Sequence, residues 1–243
     1  MAESEKPIII TKSLIKTYGL LPVLRKIDLE INRGQFVALL GPNGSGKSTM
    51  LRLLSGLSRP TAGKIAIGGW ELPDEVAAVR AQIGVVSHKS LLYETLTGRE
   101  NLLFFARLYN LPRSDLQPRL DELLEQVGLS SRADSLVRTY SRGMQQRLSI
   151  ARALLHDPDV LLFDEPYTGL DQDAATTLDN LLRTARDGRR TIIMATHRLH
   201  HAVELADRII ILNKGRIGYD RQTDIIDQAN IALDYAQVTG MAV

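Results

Sequence analysis

Within Gly41-Pro-Asn-Gly-Ser-Gly-Lys-Ser-Thr49, three glycines, one lysine and three hydroxyl residues share a short segment directly after the apolar run Phe36-Val-Ala-Leu-Leu40. Glycines let consecutive backbone N–H groups converge on one anion, and a lysine at the end of such a loop supplies a mobile cation. The spacing is that of a phosphate-binding loop. Gly41, Pro42, Asn43, Gly44, Ser45, Gly46, Lys47, Ser48 and Thr49 are therefore candidate nucleotide-binding residues. Lys47 is placed to reach the β and γ phosphates and Ser48 to ligate Mg²⁺. A helix starting near Lys47 would add the field of its N-terminus to the same oxygens. The chemistry expected is that of a nucleoside triphosphate.

Val160-Leu-Leu-Phe-Asp-Glu165 ends a second apolar run in two carboxylates. Asp164 is placed to hold Mg²⁺ through water, opposite Ser48. Glu165 is then free to accept a proton from a water attacking the γ phosphate. An acidic pair at a strand end can equally cap a following helix, and the phosphate loop is what favours the catalytic reading. His197 follows a third apolar run, Thr191-Ile-Ile-Met-Ala195, where its ring could touch the γ phosphate and orient Glu165. Alone, it could as well pack or face solvent. His200 and His201 read as helix-face residues, and no spacing among His88, His156, His197, His200 and His201 makes a metal site.

Tyr140-Ser-Arg-Gly-Met-Gln-Gln-Arg147 looks like the start of a helix. Ser141 can cap it, and Gly143 lets its first turn approach another surface closely. Such an end also suits an anion, although the loop at Lys47 already has a helix of its own.

These side chains need a scaffold that gathers several strand ends. Residues 36–40, 160–163 and 191–195 are uninterrupted apolar runs, the pattern of strands covered on both faces. Further strands are expected at 64–67 and 83–87. Residues 8–18 and 23–32 read as two β segments around a turn at 19–22. Residues 101–108 and 116–127 repeat apolar side chains at helical spacing, interrupted by Pro112 and Pro118, and 142–155 reads as a third helix. Residues 173–186 supply a crossover helix, 208–212 and 216–219 a terminal hairpin, and 223–235 a closing helix. The expected fold class is α/β: a phosphate-loop nucleoside triphosphatase core with an antiparallel β subdomain and a helical insertion subdomain. A single domain is expected, with 1–87 and 141–222 as core, 88–140 as helical insertion and 223–243 as C-terminal helix and tail.

Composition narrows the partners. A chain of 243 residues, 44% apolar, is long enough to bury a substantial core. The balance of 30 Lys plus Arg against 28 Asp plus Glu leaves a net charge of +2, too small to argue for nucleic acid, and none is expected. With no cysteine, disulfides, thiolate chemistry and Cys-ligated metals are excluded. The N-terminus lacks the pattern of a secretory signal, and no run approaches the roughly 18 apolar residues that span a bilayer. No direct membrane insertion is expected, so work at a membrane would need another subunit.

From about residue 8 to residue 220 these motifs together resemble the ATP-binding-cassette family. The loop ending at Lys47 looks like its Walker A motif, Asp164 and Glu165 like Walker B with the catalytic glutamate, and His197 like its switch histidine. Ser141, Arg142, Gly143, Met144 and Gln145 match its signature, and Thr168-Gly-Leu-Asp171 its D-loop. Tyr18 falls where the family stacks an aromatic ring on adenine. The resemblance implies ATP and Mg²⁺ as ligands and a second copy of the cassette as partner. The pair would pack head to tail, so that Ser141 and Gly143 of one copy close over ATP held by Lys47 of the other and Asp171 links the two sites. It further implies a multispanning membrane permease, and hence a peripheral location at the cytoplasmic face of the membrane. The stretch that starts at His88 is where the family docks a coupling helix, and Leu91, Leu92 and Tyr93 are groove candidates that could equally pack internally.

Two positions depart from the family pattern. Arg142 stands where the signature usually has glycine, and is expected to point away from phosphate. His88 stands where the family has a glutamine that contacts Mg²⁺ or water, and is retained as a coupling residue and a possible metal ligand through water. Within the family, the variants around Ser141, His88 and Asp164 resemble those of the haem-exporting cassettes of cytochrome c maturation. The alternatives are the ATPase of another exporter, of drugs or lipids, and an ATP-gated regulatory subunit without translocation. No Cys-x-x-Cys-His occurs, so nothing suggests that the cassette itself binds haem.

Overall fold

The chain opens with β1 (Pro7–Tyr18) and β2 (Leu21–Asn32), an antiparallel hairpin closed by Gly19 and Leu20 alone. That turn is tighter than expected, because Leu21 already pairs with Tyr18. Next come β3 (Phe36–Leu40), α1 (Lys47–Leu54), β4 (Ala62–Ile67), β5 (Trp70–Leu72), α2 (Val76–Ala81) and β6 (Ile83–Val86). Three helices follow, α3 (Gly98–Leu108), α4 (Arg113–Gln126) and α5 (Arg142–Leu154). The chain then runs through β7 (Val160–Asp164), α6 (Gln172–Asp187), β8 (Thr191–Ala195), α7 (Leu199–Leu205), β9 (Arg208–Asn213), β10 (Arg216–Gln222) and α8 (Ile231–Thr239). This computed structural model describes residues 7–87, 90–188, 190–223 and 231–240.

Two sheets organise these elements. One is antiparallel, in the order β2-β1-β4-β5; the other has the order β10-β9-β3-β8-β7-β6 and is parallel except for its edge strand β10. The apolar runs of the parallel sheet divide by the period of a strand. Phe36, Ala38 and Leu40 join one buried cluster while Val37 and Leu39 join another; Leu161 and Phe163 part from Val160 and Leu162 in the same way. The first cluster takes in α3 to α7, the second α1 and the antiparallel sheet. Strands covered on both faces must be apolar throughout, which is why these runs carry no alternation.

In the helical region Thr97 and Glu100 form a capping box: the Thr97 hydroxyl accepts from the Glu100 N–H at 3.1 Å and the Glu100 carboxylate from the Thr97 N–H at 2.8 Å. The expected interruption at Pro118 is corrected, because this residue sits inside α4 without ending it. Pro118 and Ser114 are both exposed, so water can take the carbonyl that the missing N–H leaves free. Pro112 does mark a boundary, at the N-cap of α4.

Two further expectations change. β5 is too short for periodicity to reveal it; it exists because Ile65, Ala66 and Ile67 offer a pairing edge to Leu72, Glu71 and Trp70. The closing helix, expected over 223–235, falls partly outside the described residues and runs on to Thr239. There Asn213 donates to the Val238 carbonyl at 2.6 Å, a tertiary contact that no local pattern announces.

Phe163 is 1% exposed at the centre of the first cluster. Urea denaturation of Phe163→Ala is expected to show a loss of about 3–5 kcal/mol. Leu20, fully exposed in the hairpin turn, should give a change within about 0.5 kcal/mol when replaced by alanine.

Candidate active site

β8 lies between β3 and β7, and all three run parallel, so their C-terminal ends open on the same edge. Open parallel sheets bind ligands at that edge. β3 feeds the loop before Lys47, β7 ends in Asp164, and β8 leads through Thr196 to His197. Two backbone bonds tie the edge together: the Glu165 N–H donates to the Ala195 carbonyl at 2.9 Å, and the Thr196 N–H to the Leu39 carbonyl at 3.1 Å.

The loop closes tightly. A Cβ built on Gly41 would lie 2.2 Å from the Leu212 carbonyl oxygen, at a φ of +148°, so only glycine fits between β3 and β9. Lys47 begins α1 and is 6% exposed; its ammonium donates to the Gly41 carbonyl at 2.7 Å and to the Pro42 carbonyl at 3.2 Å. Burial holds its pKa below the usual lysine value, opposed by the charges of Glu165 and Asp164. The Ser45 hydroxyl is buried without a hydrogen-bond partner, a free polar atom inside a loop rich in N–H donors.

Across the edge, the Ser48 hydroxyl donates to Asp164 Oδ1 at 2.9 Å. Glu165 stands apart from that pair: its Oε2 lies 2.8 Å from Nδ1 of His197, and its Oε1 4.0 Å from the Lys47 ammonium. A carboxylate at this point accepts a hydrogen bond from the ring N–H, so Nδ1 is the protonated nitrogen. Glu165 also has a φ of +51°, an uncommon value for a residue with a side chain, and Tyr167 anchors the turn that follows. The Tyr167 ring is buried and stacks on His201 at 4.1 Å, while its hydroxyl donates to Asp179. Burial and the Asp179 carboxylate push this phenol far above its ordinary pKa.

The remaining candidates distribute as follows. Tyr18 is half exposed with the Lys16 ammonium 4.8 Å from its ring centroid. Ser141 caps α5, its hydroxyl accepting from the Met144 N–H at 3.3 Å, and Asp171 caps α6 by accepting from the Ala174 N–H at 2.9 Å. Met144 packs against the core and Gln145 lines a polar cleft with Arg142. The reading of His88 lies outside the described residues. His200, His201 and Glu204 come within 4.8 Å of one another, but Glu204 pairs with Arg183 and His201 with the Tyr167 ring, so they serve the contact of α6 with α7.

Leu91 and Tyr93 are exposed and Leu92 is half-buried, all three on the wall of an apolar groove of about 600 Å³ shared with Leu57, Phe105 and Tyr109. Arg152, buried in α5, was not found from sequence. Its guanidinium donates to the carbonyls of Val85 at 3.0 Å and Ser90 at 2.8 Å and so fixes the chain on both sides of residues 88–89. An arginine on a helix face carries no local signal of such a role.

Alanine at Gly41 is expected to lower the stability of the nucleotide-free protein by more than about 3 kcal/mol in denaturant titration, since backbone must shift to admit the methyl group. Alanine at Gly44, whose Cβ would meet nothing within 4 Å, should cost only the about 1–2 kcal/mol of a left-handed residue.

A family model described as ABC transporter matches residues 24–168, a stretch that contains the phosphate loop, Ser141 and both carboxylates. The chain is 37% identical to the Nod factor export ATP-binding protein I of Ralstonia nicotianae, over 96% of this chain and 73% of that one. It is 38% identical to the daunorubicin resistance ATP-binding protein DrrA3 of Streptomyces coeruleorubidus, over 94% and 74%. A solved ATP binding subunit of an ABC transporter superposes with a TM-score of 0.86 at 31% identity, over 95% of this chain and 99% of that one. The ATP-binding cassette MJ0796, a dimer with ADP and Pi bound, superposes at 0.81 and 30%, over 88% and 98%. By its fold, its strand-end site and these relatives, the chain belongs to the ABC transporter family, as an ATP-binding and ATP-hydrolysing subunit.

Proposed function

We propose that two copies of this chain close head to tail over two ATP molecules, and that Glu165 is the base that starts hydrolysis. The observation that carries this is the position of the Glu165 carboxylate, 2.8 Å from His197 and 4.0 Å from Lys47, at the mouth of the phosphate loop. Glu165 takes a proton from the attacking water as its oxygen bonds to the γ phosphorus, and the bridging oxygen leaves with ADP. Lys47 turns from the Gly41 and Pro42 carbonyls to the β and γ oxygens and offsets their growing charge. His197 holds Glu165 through Nδ1; to donate to the γ phosphate as well it must carry a proton on Nε2.

Ser48 and Asp164 present hard oxygens to one another, a donor set that fits Mg²⁺, with Asp164 acting through water. Bound there, the ion would neutralise phosphate charge. Tyr18 is placed to stack on adenine. Ser141 and the Gly143 backbone would meet the partner copy's ATP, with Asp171 at the same interface. The solved MJ0796 dimer, a related cassette, supports the pairing.

The partner at the membrane is a multispanning permease, with this chain peripheral to the bilayer on its cytoplasmic face. Among the described residues no helix is long and apolar enough to cross a membrane. The apolar groove around Leu91, Leu92 and Tyr93 is the seat for a permease helix, and residues 88–140 are the insertion whose rotation carries the cycle to it. The passenger is a small organic molecule moved outward. Relatives named for Nod factor export, daunorubicin resistance and linearmycin resistance support that class. Haem export rests on the motif variants alone, and none of these relatives is named for haem.

Glu165→Gln should retain ATP, lower turnover by about 10²–10⁴-fold and accumulate as an ATP-bound dimer on size exclusion; rapid steady turnover would remove Glu165 from the role of base. Leu91→Glu should weaken co-purification with the permease by about tenfold or more while basal ATPase persists. Unchanged co-purification would place the docking surface elsewhere.

A further inference from the structure

Arg142 is a signature residue whose side chain the catalytic reading leaves without a task. Among the described residues its guanidinium makes no hydrogen bond or ion pair. A cation in the first turn of α5 is also disfavoured by the positive field at a helix N-terminus, so helix stability does not explain it.

What it does touch is the loop before α6. A Cβ built on Gly169, at a φ of +74°, would lie 2.6 Å from Arg142 Nε and 2.8 Å from Cδ and Cζ. The planar end of Arg142 therefore occupies the space where a side chain at 169 would stand, flat against bare backbone, as guanidinium groups pack on planar surfaces. One residue later the same helix comes close to the first turn of α6. A Cβ on Gly143 would come 2.9 Å from Ala174 Cβ, and the Ala174 N–H is the donor that Asp171 caps at 2.9 Å. Consecutive residues of α5 thus lie against Gly169 and against Ala174, on either side of Leu170 and Asp171. The other side of Arg142 lines a polar cleft with Ser90, Gln145 and Gln146, and the Ser90 carbonyl is held by Ser149 and Arg152 of the same helix.

We propose that Arg142 is a positioning residue that braces the loop 168–171 against the signature helix. Ser141 and Asp171, which reach the same interface in the head-to-tail pair, then move as one block. This rests on the head-to-tail reading above for its consequence, but the brace itself lies within one chain. A glycine at 142 would leave loop and helix free to move separately.

Hydrogen exchange of peptides covering residues 166–173, in the isolated chain without nucleotide, tests the brace directly. Arg142→Ala is expected to raise exchange there by about tenfold, with the melting temperature and exchange in α1 unchanged. Arg142→Lys should behave like alanine, because an ammonium neither lies flat nor fills the space over Gly169. In steady-state assays both variants should lower kcat by about 3–10-fold at unchanged KM for ATP, since the loop at Lys47 is untouched. Unaltered exchange in Arg142→Ala would overturn the proposal. So would full recovery of kcat by lysine, which would make the charge, acting on the partner's phosphate, the property that matters. If Glu165→Gln forms no ATP-bound dimer, the head-to-tail reading fails, while the exchange result still decides whether Arg142 holds the loop.

Discussion

The register of three neighbouring strands governs the site. β8 pairs in parallel with both β3 and β7, so that Leu39 lies opposite Ala195 and Ala195 opposite Asp164. A slip of two residues in either ladder would carry a carboxylate or the imidazole about 7 Å along the sheet and out of reach of the phosphate loop. A slip of one would turn every side chain of that strand to the wrong face. The register is held because both faces are buried: Phe36 and Val37, or Ile192 and Ile193, each have a core to enter, and the two cores are lined by different elements. The antiparallel sheet and the helical region are in this sense the two walls that keep the catalytic edge aligned.

At that edge, electrostatics works against burial. Lys47 is almost fully enclosed, and desolvation disfavours its charge, while Glu165 and Asp164 favour it. The ammonium finds its hydrogen bonds on the carbonyls of its own loop. Backbone dipoles and two nearby carboxylates keep this charge in the loop, and charges already in place are what lower the barrier to phosphoryl transfer. The Glu165–His197 pair follows the same logic, since the ring that holds the Glu165 carboxylate is itself positioned by the end of a buried strand.

Much of this was legible in the chain. The loop from Gly41 to Thr49 and the strand before it are contiguous, and contiguous chemistry survives without knowledge of the fold. The strands of the parallel sheet were readable because full burial writes itself as an unbroken apolar run, and β8 was found to the residue. The misses have separate causes. Pro118 was read as a breaker because local propensity forbids it, but an exposed helix face tolerates the lost bond. Arg152 and the run of α8 to Thr239 are set by partners far away in sequence, beyond β6 and on β9, whereas β5 pairs with the adjacent β4 across Gly68 and Gly69 and is simply too short for periodicity to show.

The line between the two sources of information falls at sequence distance. Residue types alone determined that this protein handles a nucleoside triphosphate, because one loop concentrates the backbone donors, the cation and a neighbouring hydroxyl within a short stretch of chain. That Glu165 is oriented by His197, that Gly41 must be glycine because the Leu212 carbonyl crowds it, and that Arg142 lies over Gly169 could be decided only by tertiary structure. Each is a contact between segments whose approach is set by strand order and helix packing, and no spacing along the chain encodes it.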